Sequence, residues 1–181
     1  MLRQLQLWFL LLISMMLIIP SAQAASRQEI DAKVREALDT LYTNSSSAKS
    51  LSRKAAGILV FPEVYKAGFG IGGEYGEGSF LRGGKTLGYY SLVSASVGLQ
   101  FGAQMKAEVI LFMTKASMNN FLNSDGWEAG VDGSVAVATL GAGGEIDSHT
   151  AQQPIIGFIF SNKGLMYNLT IEGAKITKID K

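Results

Sequence analysis

The sequence predicts an α+β fold in which N-terminal helices pack on a strongly curved, glycine-rich, mainly antiparallel β-sheet, with a barrel-like form as its most curved version. Two observations lead to this fold class. Apolar residues recur at helical spacing near the start of the chain, whereas all 21 glycines lie from Gly57 onward. After that point, short apolar runs rich in β-branched and aromatic residues alternate with glycine clusters, which is typical of strands and turns.

Residues 1–24 have the features of a removable secretory signal peptide. Arg3 supplies a basic start, residues 7–19 form an apolar run, and residues 22–24 have the small-x-small pattern of a cleavage site. The run is about a dozen residues long, shorter than the roughly 20 that a membrane span requires. We therefore expect export to the periplasm or cell envelope; an uncleaved anchor is the alternative.

The composition of the processed chain favours one domain and argues against several classes of protein. Removal of 24 of the 181 residues leaves 157, which suits a single domain over residues 25–181. Without Arg3, the 16 basic side chains become 15 and equal the 15 acidic ones, so no nucleic-acid partner is expected. The absence of cysteine excludes disulfides, thiolate metal sites and a lipid-carrying cysteine at the cleavage site.

Residues 25–56 are predicted to be helical. A first helix begins at a capping box formed by Ser26 and Glu29. Apolar residues spaced along one helix face continue it to Leu41. After a polar break, a second helix is expected over residues 48–56, with a glycine directly behind it.

Residues 57–181 are predicted to be mostly β, with one helix near residues 115–123. Glycine weakens a strand, so its repeated use inside strand-like runs indicates curvature, bulges or close approach of the backbone. The sheet is therefore expected to be strongly bent. The predicted strands are 58–61, 66–72, 88–93, 96–104, 107–114, 134–140, 154–160, 165–171 and 175–179.

The motifs that could carry chemistry lack the context that the chemistry needs. Residues 68–73 match G-x-G-x-x-G, but the acidic, glycine-rich segment 74–78 is a poor helix former, so a curved hairpin is the preferred interpretation. His149 is the only histidine, and no G-x-S-x-G elbow accompanies it. The loop carboxylates lack calcium-loop spacing. We therefore expect a protein that is not an enzyme and has no cofactor or metal; a hydrolase using His149 and carboxylates is the alternative.

Four basic residues around the second helix are the candidate lipid-binding residues. Lys49 and Arg53 are four positions apart and share a helix face, and Lys54 and Lys66 follow them. A basic amphipathic segment of this kind binds anionic headgroups at a membrane surface. The alternative is a solvated face of a helix that packs on its own core.

From Ala55 to the end, the order of motifs resembles the SYLF domain, a lipid-binding module also called the Ysc84-type actin-binding domain. Each piece is short, and the order and spacing of the pieces together carry the resemblance. With the preceding helices it covers residues 25–181 as a single SYLF-like domain. The matching stretches are AAGILVFP at 55–62, KAGFGIGG at 66–73, G-x-G at 76–78, SVGLQFGAQ at 96–104, SNKGL at 161–165 and IEGA at 171–174.

The resemblance implies a binding module and not an enzyme. Eukaryotic members bind phosphoinositide membranes and some contact actin, whereas bacterial members are exported, often as lipoproteins. This chain lacks the lipoprotein cysteine, and it has Tyr90-Ser91 where the family commonly has Trp-Ser. Because an exported chain would not meet actin, we do not carry actin binding over.

The function expected from the sequence is non-enzymatic binding of lipid in the cell envelope, at anionic phospholipid membranes. The alternative is an envelope scaffold or protein-interaction module without lipid specificity, which would bind a partner protein through a strand edge.

Overall fold

A computed structural model of the chain describes residues 25–140, 146–164, 171 and 173–181. Within these residues the protein has the predicted α+β fold with a strongly curved sheet. The predicted leader, residues 1–24, and most of the predicted strand 165–171 lie outside the described residues.

The described part of the chain contains three α-helices and six β-strands. The helices are α1 (Arg27–Asn44), α2 (Ser46–Lys54) and α3 (Lys115–Leu122), and a short 3-10 helix covers Thr150–Gln152. No helix in this part of the chain is both long and apolar enough to cross a membrane. The strands are β1 (Gly57–Arg82), β2 (Lys85–Phe112), β3 (Trp127–Glu128), β4 (Ala136–Thr139), β5 (Ile155–Gly164) and β6 (Lys175–Ile179).

Each α-helix begins at a hydroxyl side chain that caps its first turn. The Ser26 hydroxyl accepts a hydrogen bond from the Glu29 N–H at 3.2 Å, as the capping-box spacing predicts. Ser45 caps α2 through the Ala48 N–H at 3.1 Å, and Thr114 caps α3 in the same way. Such a cap satisfies a backbone donor that has no partner inside the helix, so these hydroxyl positions fix where the helices start.

The five strands predicted between residues 58 and 114 are in fact two long ones. β1 has 26 residues, β2 has 28, and they pair as one antiparallel hairpin. Gly83 and Gly84 form its turn with φ of 57° and 77°, which a two-residue hairpin turn requires. The prediction of short strands was wrong because the other glycines bend a continuous strand and do not end it.

The long hairpin is folded over on itself near residue 70. The pairing register shifts between Phe69 and Ile71, and the second half of β1 returns alongside its first half. A Cβ on Gly76 would lie 2.9 Å from the Glu63 carbonyl oxygen, and a Cβ on Gly78 would overlap the Val60 carbonyl. Glycine is therefore needed where the two halves touch. We call residues 65–75 and 93–105 the bend.

β2 is the central strand of the sheet. β1 follows one of its edges, and on the other edge β6 pairs with residues 89–93 and β5 with residues 104–112. β3 pairs antiparallel with β6, and β4 pairs parallel with β5, which makes the sheet mainly antiparallel. The result is a curled half-barrel.

Two apolar clusters hold this architecture together. Inside the curve, α3 packs on the sheet, with the Phe112 and Phe121 rings 4.9 Å apart. Outside the curve, α1 packs Val34 and Leu41 against the other face of the same strands, where Val109 is also fully buried. Because both clusters lie on the arms of the folded hairpin, the bend is left to project beyond them.

Candidate membrane-contact site

The bend has an inverted distribution of polarity. Successive side chains of a strand point to opposite faces. Along β1 the odd-numbered residues from 65 to 75, which are apolar or aromatic, are exposed. The even-numbered Lys66 and Glu74 are buried. The polar face of this strand is therefore the inner one, which is the reverse of an ordinary surface strand.

The exposed face carries a concentration of large hydrophobic side chains. Phe69 is 76% exposed, Ile71 is 72% exposed, and Tyr65, Tyr75 and Val93 are about half exposed. We call these five residues the apolar bend surface. Seven large hydrophobic residues are exposed in the described part of the chain, so most of them lie on this one feature. An apolar patch of this kind indicates a contact surface and not scattered surface variation.

The two charged residues of the bend, Lys66 and Glu74, belong to a buried ion-pair network that continues to Lys106 and Glu108 at the base of the bend. Lys66 Nζ lies 2.9 Å from Glu74 Oε1, and Lys106 Nζ lies 3.0 Å from Glu74 Oε2. Lys106 Nζ also lies 2.8 Å from Glu108 Oε1. All four side chains are at least nine-tenths buried, and two ammonium groups balance two carboxylates. The charges of the bend are thus neutralised within this buried network, and none of them lies on the apolar bend surface.

Burial and pairing shift the pKa values inside this network. Burial, together with the nearby Glu74 carboxylate, raises the pKa of Glu108 despite the lowering effect of the adjacent Lys106 ammonium. Burial alone would lower the pKa of Lys106, but the nearby carboxylates of Glu108 and Glu74 outweigh it, so the net shift is upward. Lys106 therefore stays charged and depends on its carboxylate partners to do so.

Two tyrosines mark the base of the apolar bend surface. The Tyr65 hydroxyl donates to Glu63 Oε2 at 3.1 Å, and the Tyr75 hydroxyl donates to Glu77 Oε1 at 2.7 Å. Burial and the bond to Glu77 raise the pKa of Tyr75 to about 12. Each tyrosine therefore remains neutral at physiological pH, with its hydroxyl turned towards a charged residue below the bend.

Two exposed lysines flank the apolar bend surface. Lys163 of β5 stands opposite Met105, and Lys175 of β6 stands opposite Val93. Directly opposite residues of an antiparallel pair share a face of the sheet. The two lysines therefore stand at the base of the bend, one beside each arm and both at the edge of β2 that faces away from β1. Glu128 of β3 stands opposite Lys175.

Three of the four basic residues predicted to bind lipid lie at the other end of the folded hairpin. Lys49, Arg53 and Lys54 are exposed on α2. Lys49 and Arg53 line a groove of about 500 Å³ with Arg35, and its apolar lining is Leu38, Tyr42, Ile58 and Leu81. Ile58 and Leu81 stand near the far ends of the two arms of β1. They lie up to about 20–23 Å from the nearest residues of the bend at ~3.3 Å per residue.

Lys66 is separate from the other three predicted residues. Its side chain is 4% exposed and its ammonium pairs with Glu74 inside the bend. The structure therefore does not place Lys66 on one exposed basic surface with the other three. Contact of Lys49, Arg53, Lys54 and Lys66 with lipid stays a prediction.

The enzymatic alternatives find little support in the geometry. Residues 68–73 lie inside β1, and a strand, not a helix, follows the G-x-G-x-x-G match. His149 is exposed at the start of the 3-10 helix, with Gln153 as its ring neighbour at 3.4 Å. The Asp147 carboxylate accepts a hydrogen bond from the Thr150 N–H, so it stabilises the local turn. Among the described residues, no group of three histidine or acidic side chains could hold a metal.

Comparison with known proteins finds a family model that matches residues 93–181. No curated protein matches the chain significantly. The family model Ysc84, described as "Las17-binding protein actin regulator", matches residues 93–181. That range begins in the bend and includes both flanking lysines, Lys163 and Lys175. Residues 93–181 are therefore similar to the Ysc84 family, also called SYLF, which is a family of binding domains and not of enzymes.

Proposed function

We propose that this protein is a non-enzymatic lipid-binding protein of the cell envelope that contacts anionic phospholipid membranes through its bend. The observation that carries the proposal is the inverted polarity of the bend. Phe69 and Ile71 project outward, while Lys66 and Glu74 turn inward and neutralise each other. Water does not favour such an arrangement, whereas an apolar medium does.

From its apex to its base, the bend changes from apolar to aromatic to charged side chains, which is the order from the hydrocarbon core of a bilayer outward to its surface. The apex is apolar, tyrosines stand below it, and Glu63 and Glu77 lie at its base. Tyrosine rings are enriched at the level of lipid headgroups. The four residue steps from Tyr65 to Phe69 span about 13 Å at ~3.3 Å per residue. One leaflet contributes about 15 Å, half of the roughly 30 Å hydrocarbon core.

The backbone of the bend is hydrogen-bonded on one edge of each strand. β1 and β2 pair from Tyr65 opposite Met105 to Phe69 opposite Phe101, and again from Ile71 opposite Val97 to Tyr75 opposite Val93. Among the described residues, the outer edges of both strands pair with no other strand over most of the bend. Unpaired backbone groups cost several kcal/mol each in hydrocarbon, so these outer edges favour contact at the level of the headgroups, where water is present, with Phe69 and Ile71 reaching towards the acyl chains.

The preference for anionic lipid rests on Lys163 and Lys175. Each lysine near an anionic membrane surface contributes about 1 kcal/mol of attraction. The family association with lipids and actin-regulating partners supports a binding role in general. The envelope location rests on the leader predicted at residues 1–24. Because an exported chain would not meet actin, this leader also favours lipid over actin as the partner.

Co-sedimentation of residues 25–181 with vesicles tests this proposal. We expect pelleting with vesicles that contain phosphatidylglycerol and weak pelleting with pure phosphatidylcholine. A Phe69→Trp variant should shift its emission to shorter wavelength on binding, because its indole would leave water. Trp127 is fully buried and supplies a constant background. Absence of pelleting at low salt, with the protein folded, would refute the proposal.

Charge reversal identifies which basic set meets the membrane. Lys163→Glu with Lys175→Glu should weaken binding to anionic vesicles, because both lysines flank the bend. The matched set Lys49→Glu, Arg53→Glu and Lys54→Glu should leave binding nearly unchanged. The opposite ranking would move the contact surface to α2, where the sequence places it.

The envelope scaffold remains the second candidate function. It predicts binding to a partner protein that does not depend on lipid composition. The scaffold function replaces the lipid-binding function if two results are obtained together. The purified chain binds anionic and zwitterionic vesicles equally weakly, and a partner protein cross-links to the bend.

A further inference from the structure

Glu77, at the base of the bend, contacts two segments that are far apart in the sequence. Its side chain is 13% exposed, and its Oε2 lies 2.7 Å from Nζ of Lys181. The backbone N–H of Ala25 also donates a hydrogen bond to the Glu77 carboxylate. Ala25 is the residue that the predicted cleavage would make the first of the mature chain.

The surroundings of Ala25 contain more negative than positive side chains. Ala25 lines a cavity of about 380 Å³ at the base of the bend. Lys33 lies 3.0 Å from Glu29 and 2.9 Å from Glu63, so it serves both carboxylates. Glu77 has Lys181. Three carboxylates thus share two ammonium groups, and one more positive charge would balance the site.

We propose that Glu77 is the binding site for the α-ammonium group that leader removal creates at Ala25. Hydrolysis of the Ala24–Ala25 peptide bond adds one water and yields the Ala24 carboxylate and the Ala25 amine, which takes up a proton at neutral pH. A peptide nitrogen donates one uncharged hydrogen bond, whereas the ammonium carries a charge and three donors. The proposal rests on cleavage after Ala24 and is independent of lipid binding.

The expected consequence is a raised pKa of the Ala25 amino group. An exposed α-amino group titrates at about 7.7–8.0, and a carboxylate in contact with it favours the charged form. A raised folded-state pKa means that the stabilisation is complete below about 7.7 and is lost as pH rises through the folded value. The other titratable groups that face the site are Glu29, Lys33, Glu63, Tyr65, Tyr75 and Lys181.

A double-mutant comparison on residues 25–181 tests this inference, since both apolar clusters lie within that range. The chain is prepared with a free Ala25 amine or with an Nα-acetyl group, each with Glu77 or with Glu77→Gln. Glu36→Gln, on the exposed face of α1, is the matched control. We expect the free amine to titrate about one pKa unit above its ordinary value, a tenfold change in proton affinity, in the native and Glu36→Gln chains only.

The thermal midpoint supplies a second readout. Acetylation should lower the midpoint when Glu77 is present and change it little in Glu77→Gln. An equal effect in both backgrounds, or an ordinary pKa for the amine, would overturn the inference. So would a different first residue, found by intact mass, in the exported protein. If Glu77→Gln does not fold, Lys181→Met serves as the second variant, because it keeps Glu77 and removes the competing Lys181 ammonium. The pKa of the Ala25 amine should then rise further. An unchanged pKa in Lys181→Met would also count against the site.

Discussion

Replacement of Ile71 by aspartate should weaken membrane binding without affecting the fold. Ile71 is 72% exposed at the apex of the bend, so its substitution should change the free energy of unfolding by less than about 0.5 kcal/mol. Full burial of an isoleucine side chain contributes about 1.5–3 kcal/mol. The exposed part of Ile71 therefore contributes about 1–2 kcal/mol on entering lipid, which corresponds to a roughly 6- to 30-fold change in affinity.

The measurement is co-sedimentation over a series of lipid concentrations, at low salt and near 1 M salt. At the higher concentration the Debye length falls to about 3 Å, so the apolar contribution dominates. Leu87→Asp is the control, because Leu87 is an isomeric side chain, 54% exposed, on the arm of β2 far from the bend. It carries the same change of charge, so the difference between the two variants reports the location of the contact.

The reasoning is refuted if Ile71→Asp and Leu87→Asp lose affinity equally. It is also refuted if Ile71→Asp binds like the native chain at both salt concentrations. A loss confined to Ile71→Asp, and retained at high salt, is the expected result.

Three further predictions concern stability. Gly78→Ala should destabilise the protein by roughly 1–3 kcal/mol in urea unfolding, because the new Cβ would clash with the Val60 carbonyl. The control, Gly73→Ala, should be tolerated because its Cβ would lie 3.5 Å from its nearest neighbour. Lys106→Met should cost about 3–5 kcal/mol because it leaves buried Glu108 without its partner; adding Glu108→Gln should restore part of the loss, and no restoration would contradict the pairing. The pKa of Glu77 is lowered because hydrogen bonds from Lys181, Tyr75 and the Ala25 N–H outweigh burial, so its stabilisation is present above about pH 4.3 and is lost as pH falls through the folded value. Acid unfolding followed by circular dichroism should therefore show a flatter pH dependence for Glu77→Gln.

The helices and the fold class could be predicted from the sequence because their signals are local. The Ser26 cap and the apolar spacing up to Leu41 determine α1 without reference to the rest of the chain. The strands were harder, since a glycine cluster looks the same whether it ends a strand or bends one. Only the close approach of Gly78 to Val60 distinguishes the two, and that contact depends on the folded hairpin.

The candidate site was only partly predictable for a related reason. A period of two shows which residues share a face, but it does not show which face is inward. One signal was available in the sequence. Lys66 and Glu74 have opposite charges and both occupy even-numbered positions of β1, with aromatic residues between them, so they could form an ion pair on the same face of the strand. The flanking positions of Lys163 and Lys175 depend on the pairing of distant strands, for which no local pattern exists.

The folded course of β1 also has a consequence for self-association. Within the described residues, one edge of β1 pairs with β2 and its other edge pairs with no strand. A straight free edge of 26 residues would be a template for strands of other chains. The fold-over divides this edge into two arms with different directions, and α1 packs against β1. A strand from another molecule can therefore follow only one arm, so the glycines that shape the bend also protect the protein against edge-to-edge aggregation.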